Sequence, residues 1–414
     1  MLEHGTYLYN PDLKWETTIT RNFGIDYGFW NNRVSGSLDL YWNTTKDLLM
    51  RAEIPSNTGY NYQYQNFGQT SNKGVELMLN VVVVDNKDFS LNFTGNLAYN
   101  RNNIDKLTID SPWQSSNWAG STISKYEDYR VEEGGRLGEI WGYKCNGYYT
   151  VYDPTSNPNG ELIWNTNGGG WTLKDGVKDN SVNVTGGSYY PGGLKLQCDE
   201  NGDPVKQRLG NTVAPLVGGF GFNGRWKNFD FNLFFNYSIG NVLINGTKLA
   251  SAFRSGSRKG YNLNNDFRLS NRYTWIDPET GLNLSTNSTD VLNTYGDMMT
   301  AGLCLNEINQ NAQIYNPASA TQMQLIDYAV EDASFLRVNN LTLGYTLPKK
   351  AIKRIFLQNV RIYFTGYNLF CITNYSGADP EVDTSSKKNA MTPGVDYAAY
   401  PKSRTFVGGI NVTF

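Results

Sequence analysis

The sequence predicts an all-β protein, an antiparallel transmembrane β-barrel wall of about eleven strands. Three observations lead there. Apolar and polar residues alternate one by one along most of the chain, and helical periodicity is scarce. Connections between successive strands take turns at being short and long. The composition holds 42 Gly, 28 Tyr, 19 Phe and 10 Trp, with 18% charged residues and a net charge of −2. Such a chain crosses a bilayer with half-apolar strands of ~9–11 residues, which average hydropathy conceals.

The first strand is expected over about 13–30, where Trp15, Thr17, Ile19, Phe23, Ile25, Tyr27 and Phe29 alternate with Glu16, Thr18, Thr20, Asn22, Gly24, Asp26 and Gly28. After the turn "NNR" a second strand, 34–50, places Val34, Gly36, Leu38, Leu40 and Trp42 on one face. A second hairpin joins 74–85 to 89–105 through "DNKD". A third is expected from 124–133 and 138–150 around "GGRLG". The fourth joins 215–227 to 229–245 through "KN". There Phe229, Phe231, Leu233, Phe235, Tyr237 and Ile239 oppose Asp230, Asn232, Asn236 and Ser238. The strand 330–347 changes phase at Asn339 and Asn340, the mark of a β-bulge. Strands 357–374 and 403–414 complete the set.

The long connections, about 51–73, 106–123, 151–214, 246–329 and 375–402, all lie at the opposite end from the short turns. That asymmetry belongs to outer-membrane barrels, as do aromatics such as Trp15, Trp30, Trp42, Trp226 and Tyr345 near strand ends. A secreted β-sandwich that binds polysaccharide shares the alternation and is the alternative. Detergent-dependent extraction separates the two.

Composition excludes other classes. Basic runs such as "PKKAIKR" are short, so no nucleic-acid footprint exists. No run of about 18 apolar residues could form a spanning helix. Cys145, Cys198, Cys304 and Cys371 lie far apart, and with the single His4 they offer no zinc spacing. Scattered free thiols are expected, with Cys145–Cys198 the one pairing to consider. No catalytic constellation stands out, and no enzyme activity is expected. The N-terminus shows no signal peptide, which suggests that the protein's beginning lies upstream of Met1.

Candidate sites follow from loop chemistry. Tyr60, Tyr62, Tyr64, Trp113, Trp118, Trp164 and Trp171 fall in the long connections, where they could stack on sugar rings or pack the loops themselves. "DENGDPV" places Asp199, Asn201 and Asp203 as the start of an oxygen-ligand loop, so Ca2+ in an exterior loop is the one cofactor the pattern admits. Pro204 and Gly210 depart from that pattern, and an ordered turn is the default. In the terminal strand "SRTFVGGINVTF", Gly409, Val412 and Phe414 resemble the assembly signal of bacterial outer-membrane proteins, while Val407 stands where that signal prefers a polar residue.

Several segments resemble one family. "DASFLRVNNLTLGYTLPKK", "VRIYFTGYNLFCITNYSGADPEV" and "YPKSRTFVGGINVTF" are similar to the end of the SusC-type TonB-dependent transporters of Bacteroidetes. "NPDLKWETTITRNFGIDYGFWNNRVSGSLDLYWNTTKDLLM", "NKGVELMLN" and "GNTVAPLVGGFGFNGRWKNFDFNLFFNYSIGN" resemble earlier strands of that barrel. The resemblance implies a barrel of about 22 strands with an N-terminal plug, of which residues 1–414 would be the C-terminal half. It further implies energy from TonB through the N-terminal part, a SusD-like surface lipoprotein as lid, outer-membrane lipid around the wall, and oligosaccharide or peptide as cargo. "GADPEVD" would be structural. A siderophore or cobalamin receptor is the alternative within transport. An odd number of antiparallel strands cannot close on itself, so the first and last strands are expected to pair outside this chain or to show bare edges.

Overall fold

The computed structural model describes residues 7–108, 112–116, 127–253, 262–322, 324–353, 357–384 and 391–414. One antiparallel sheet forms the wall. Its strands in spatial and chain order are β1 (Thr17–Phe29), β2 (Val34–Glu53), β3 (Tyr62–Asp85), β4 (Phe89–Leu107), β5 (Leu216–Trp226), β6 (Phe229–Ile239), β7 (Phe335–Thr346), β8 (Asn359–Thr373) and β9 (Thr405–Thr413). Each pairs with its chain neighbours, and Tyr7–Leu8 adds a short parallel pairing beside β3. β1 and β9 are the two ends of the sheet and do not pair with each other.

The wall has nine strands rather than the eleven expected. The segments 124–133 and 138–150 lie outside it, as the short strands Tyr129–Arg130, Glu139–Tyr143 and Cys145–Tyr148 of separate small sheets. Their alternation is real, but Tyr129, Ile140 and Tyr149 are buried by protein. Period-two patterning reports a half-buried strand without saying what covers it. The connection expected at 51–73 is also shorter, because β2 runs to Glu53 and β3 begins at Tyr62. Hydrogen-bonded pairing continues past the last aliphatic row into "YNYQYQ", where tyrosine alternates with amide side chains.

Registers sort the two faces. Residues directly opposite share a face. One row reads Ile25, Leu38, Leu77, Leu97, Gly218, Tyr237, Leu336 and Ile372 across β1 to β8. The neighbouring row on the other face reads Asp26, Ser37, Met78, Asn96, Gly219, Asn236, Arg337 and Cys371. The expected bulge is present: register shifts between Val338 and Asn340 against both neighbours of β7.

Glycine and tyrosine abundance has a shared cause. Gly218 lies opposite Tyr237, and a Cβ there would come within 2.5 Å of the Tyr237 hydroxyl. Gly409 lies likewise under the Tyr363 ring. The ring of one strand fills the hollow left by the glycine of the next.

Short turns at 30–33, 86–88 and 227–228 share one end of the wall, where the helix Lys349–Ile352 follows β7. At the other end the described parts of the connections 108–215, 240–334 and 374–404 fold together. They contain small sheets and helices, including Thr289–Tyr295 and Met298–Ile308. Ser288 caps the first through the Val291 N–H, and Asp297 caps the second through the Thr300 N–H. The chain's hydrophobic core lies here. Tyr129, Ile140, Leu196, Ile244, Phe267, Tyr315, Leu325 and Val395 form one cluster drawn from all three connections. Tyr149, Leu162, Trp171, Tyr273, Leu284, Met298 and Leu305 form a second. These long connections are thus a packed body, where the sequence showed only length.

Candidate functional site

The polar face of the wall and the body above it make a continuous site. On that face, Asn232 donates to Asn223 and accepts from Asn340 at 2.8 Å, while the Thr342 and Thr365 hydroxyls meet at 2.9 Å. Asp230 takes both the Nε (2.9 Å) and Nη2 (2.5 Å) of Arg361. The pair lies over Gly344, whose missing side chain leaves room for it. These cross-strand bonds satisfy polar groups within the wall itself, leaving a surface that is polar without strong net charge.

A recess of about 530 Å³ opens nearby. Ser37, Asp39, Glu76, Asn96, Val217 and Phe234 line it, and Asp39 and Glu76 are directly opposite each other. The Phe234 ring lies over Gly219 and Gly221. The recess joins two carboxylates to an apolar floor, a surface suited to hydroxyl or amine donors.

The packed body is tied to this face at its rim. Arg337, on the polar face of β7, reaches up to Asp379 at 2.7 Å and Glu381 at 2.7 Å. Lys402 pairs with Glu381 at 2.8 Å. Asp379 is 2% exposed and also accepts from the Glu381 and Lys402 amides, at 3.0 and 3.1 Å. Burial pushes its pKa up, but those amide bonds and the Arg337 guanidinium outweigh it and hold the carboxyl below its ordinary range. The "GADPEVD" segment is therefore a clamp that ties the described part of connection 374–404 to the polar face of the wall. Beside it Lys248 pairs with Glu331 at 2.8 Å, and Glu331 accepts from the Ser376 amide and hydroxyl.

The aromatic candidates fall into different settings. Tyr62 and Tyr64 stand on β3, edge to face at 5.6 Å, with Tyr7 stacked on Tyr62 at 5.9 Å. Tyr64 is 44% exposed. Tyr60 lies in the connection just before β3, partly buried. Trp113 packs edge to face on Trp141 at 5.9 Å, with Arg130 over both rings and Lys206 over Trp113 at 4.8 Å. Trp164 meets Trp171 edge to face at 5.3 Å. Trp171 is 6% exposed and donates its Nε1–H to the Ser285 carbonyl at 3.2 Å, so its ring serves the second core. Trp118 lies outside the described residues.

The "DENGDPV" segment is a self-bonded turn. One Asp199 oxygen accepts from the Asn201 amide (2.9 Å) and the Asp203 amide (3.0 Å), and Asp203 accepts from the Asn180 side chain at 2.7 Å. Among the described residues no group of three or more His, Cys, Asp or Glu converges as metal ligands. The four cysteines are free. Gly409 and Val412 lie in β9, opposite Tyr363 and Val360, and Phe414 is 86% exposed beyond its end.

Sequence reasoning missed the clamp and the Asp230–Arg361 pair. Arg337 sits on the polar phase of its strand beside the bulge, a charged residue at a wall position, and that was the available signal.

The family described as "TonB dependent receptor-like, beta-barrel" matches residues 3–197. The TonB-dependent receptor P3 of Formosa agariphila is 28% identical over 411 residues, 98% of this chain and 35% of that protein. The TonB-dependent receptor SusC of Bacteroides thetaiotaomicron is 29% identical over 412 residues, covering 98% of this chain and 33% of its own length. The structure of the RagAB peptide transporter shares the fold with a TM-score of 0.64 at 24% identity, over 98% of this chain and 36% of that one. The chain spans about a third of the length of the relatives it matches. With its wall topology and these alignments over nearly its whole length, the chain is similar to the β-barrel part of TonB-dependent receptors, SusC among them.

Proposed function

We propose that this chain is part of an outer-membrane importer in a Gram-negative bacterium, taking up oligosaccharide or peptide with a SusD-like lipoprotein as lid. The observation that carries this reading is the division of one continuous wall into an apolar face and an Asn/Thr-lined polar face. The apolar face would meet lipid and the polar face would line the passage. The packed body at the long-connection end would receive cargo, with Tyr60, Tyr62, Tyr64 and Trp113 as contacts, and the recess beside Asp39 and Glu76 would lie below it. A plug and TonB would supply gating and energy. The sizes of connections 108–215 and 240–334 support their role in specificity, since only they and 374–404 can reach across a mouth. The RagAB neighbour, a peptide transporter, supports the peptide end of this cargo range.

Density-gradient fractionation tests the location. The chain should sediment with outer membranes, resist carbonate washing and need detergent for release. Release without detergent would overturn the reading. Exchanging 151–214 and 246–329 with those of a relative should transfer cargo preference, and unchanged preference would assign specificity elsewhere.

A further inference from the structure

Just above the apolar rows of the wall, one row of directly paired residues reads Arg21, Trp42, Lys73 and Arg101 across β1 to β4. Pairing is regular through this region on all four strands, so the row shares its face with Phe23, Leu40, Val75 and Tyr99 immediately below. It is therefore on the apolar face, at the long-connection end. On β4 the positions Phe89, Leu91, Phe93, Leu97 and Tyr99 precede Arg101, which fits the ~9–11 residues needed to cross a bilayer core. The cations begin where the hydrocarbon would end.

All four side chains are exposed, Trp42 to 49%. Lys73 Nζ lies 4.5 Å and the Arg21 guanidinium 5.3 Å from the Trp42 ring centroid. Among the described residues none of Arg21, Lys73 and Arg101 forms an ion pair. The nearby carboxylate Asp105 accepts hydrogen bonds from Gln69, Ser71 and Asn103 at 2.8–3.1 Å and forms no ion pair with Lys73. Lys46 adds a further exposed cation on the same face of β2, opposite Thr17. The remaining strands do not continue the row: at their long-connection ends this face carries Leu216, Ile239, Leu336 and Ile372. With strands ~4.8 Å apart, three cations flank one indole within ~15 Å. Unpaired cations around an interfacial ring match a phosphate at headgroup height, with the ring against the apolar portion below.

We propose that Arg21, Lys73 and Arg101, arranged about Trp42, form a docking site for an anionic, phosphate-bearing lipid headgroup in the exterior leaflet. The inference rests on the reading that the wall spans a membrane. The test uses the full chain in phosphatidylcholine vesicles with or without bisphosphorylated lipid A, and counts co-purified lipid after detergent extraction. Wild type should enrich lipid A at least tenfold over phosphatidylcholine, with the enrichment falling as salt rises. Arg21→Gln/Lys73→Gln/Arg101→Gln should lose at least fivefold of it, whereas Lys87→Gln/Lys227→Gln at the short-turn end should keep it. Dephosphorylated lipid A should not be enriched. Equal enrichment by wild type and the triple variant, or salt-insensitive enrichment by wild type, would overturn the proposal. Full competition by inorganic phosphate would also overturn it, in favour of a free-phosphate site. If wild type is released from outer membranes without detergent, the membrane reading falls and takes this inference with it; membrane residence without lipid A enrichment refutes this inference only.

Discussion

Replacing Arg337 with Met should release the described part of connection 374–404 from the polar face of the wall. Arg337 and Asp379 are 5% and 2% exposed, and their bond is 2.7 Å. Removing one partner of a buried pair costs ~3–5 kcal/mol, because the other is left charged without compensation. Asp379 would still keep the Glu381 and Lys402 amides, and Glu381 would still keep Lys402. The lower end, about 3 kcal/mol, is therefore expected. That is roughly a hundredfold increase in local opening. Amide hydrogen exchange reads it directly, at the Glu381 and Lys402 N–H groups that Asp379 binds and at the Thr384 amide bonded to Val395. Asp379→Asn keeps an acceptor for one of the two amides while removing the charge. Arg337→Met/Asp379→Asn should accordingly open less than the sum of the two single changes, by ~1–3 kcal/mol of coupling. Exchange within about twofold of wild type in Arg337→Met, or strict additivity, would refute the clamp.

On the membrane reading, Phe231→Arg should cost ~2–4 kcal/mol in refolding into bilayers, while Asn232→Arg on the polar face should cost far less; equal costs would contradict the assignment of faces. Gly218→Ala should destabilise the wall by ~1–3 kcal/mol in denaturant titrations, since its Cβ would sit 2.3 Å from the Asn96 carbonyl oxygen. Gly408→Ala, where no atom lies within 4 Å, should be neutral in the same titrations. Asp128 is pushed up to about 6 by burial, against the opposing hydrogen bonds from Ser116 and the charge of Lys206. Its folded form thus holds a proton more tightly than the unfolded chain, so its contribution grows as pH falls from about 6 toward 4 and is absent above. The gain is about 3 kcal/mol at most. The protection factor at the Trp141 amide, which donates to the Asp128 carbonyl, should rise as pH falls over that range and stay flat in Asp128→Asn.

Much of the wall was legible because strand pairing is local in sequence. The "NNR", "DNKD" and "KN" turns lie between strands that pair, and the slip at Asn339–Asn340 appears in the register. The hairpin expected around "GGRLG" was misplaced for a physical reason. Tyr129 and Ile140 alternate as wall residues do, yet they are covered by Ile244, Tyr315 and Val395, more than a hundred residues away. Trp171 shows the same limit at a single residue. A tryptophan in a polar loop reads as a platform until Leu284 and Met298 are seen packed around it. Arg337 and Asp379 lie 42 positions apart, and neither sequence neighbourhood points to the other.

The first core cluster takes its residues from three segments that the wall strands separate. Leu196 cannot meet Tyr315 until β5 and β6 are in place, nor Val395 until β7 and β8 have followed. Segment 108–215 can pair within itself, as Glu139–Tyr143 does with Lys206–Asn211, but its side of the shared cluster stays uncovered until the later segments arrive. The body is a keystone, set last, and its closure reports that every preceding hairpin was laid in order. A slipped or missing hairpin would leave Tyr129, Ile244 and Val395 as unburied greasy ends facing outward. Such a chain would present itself to surveillance proteases by its exterior, however well the rest of its wall had formed.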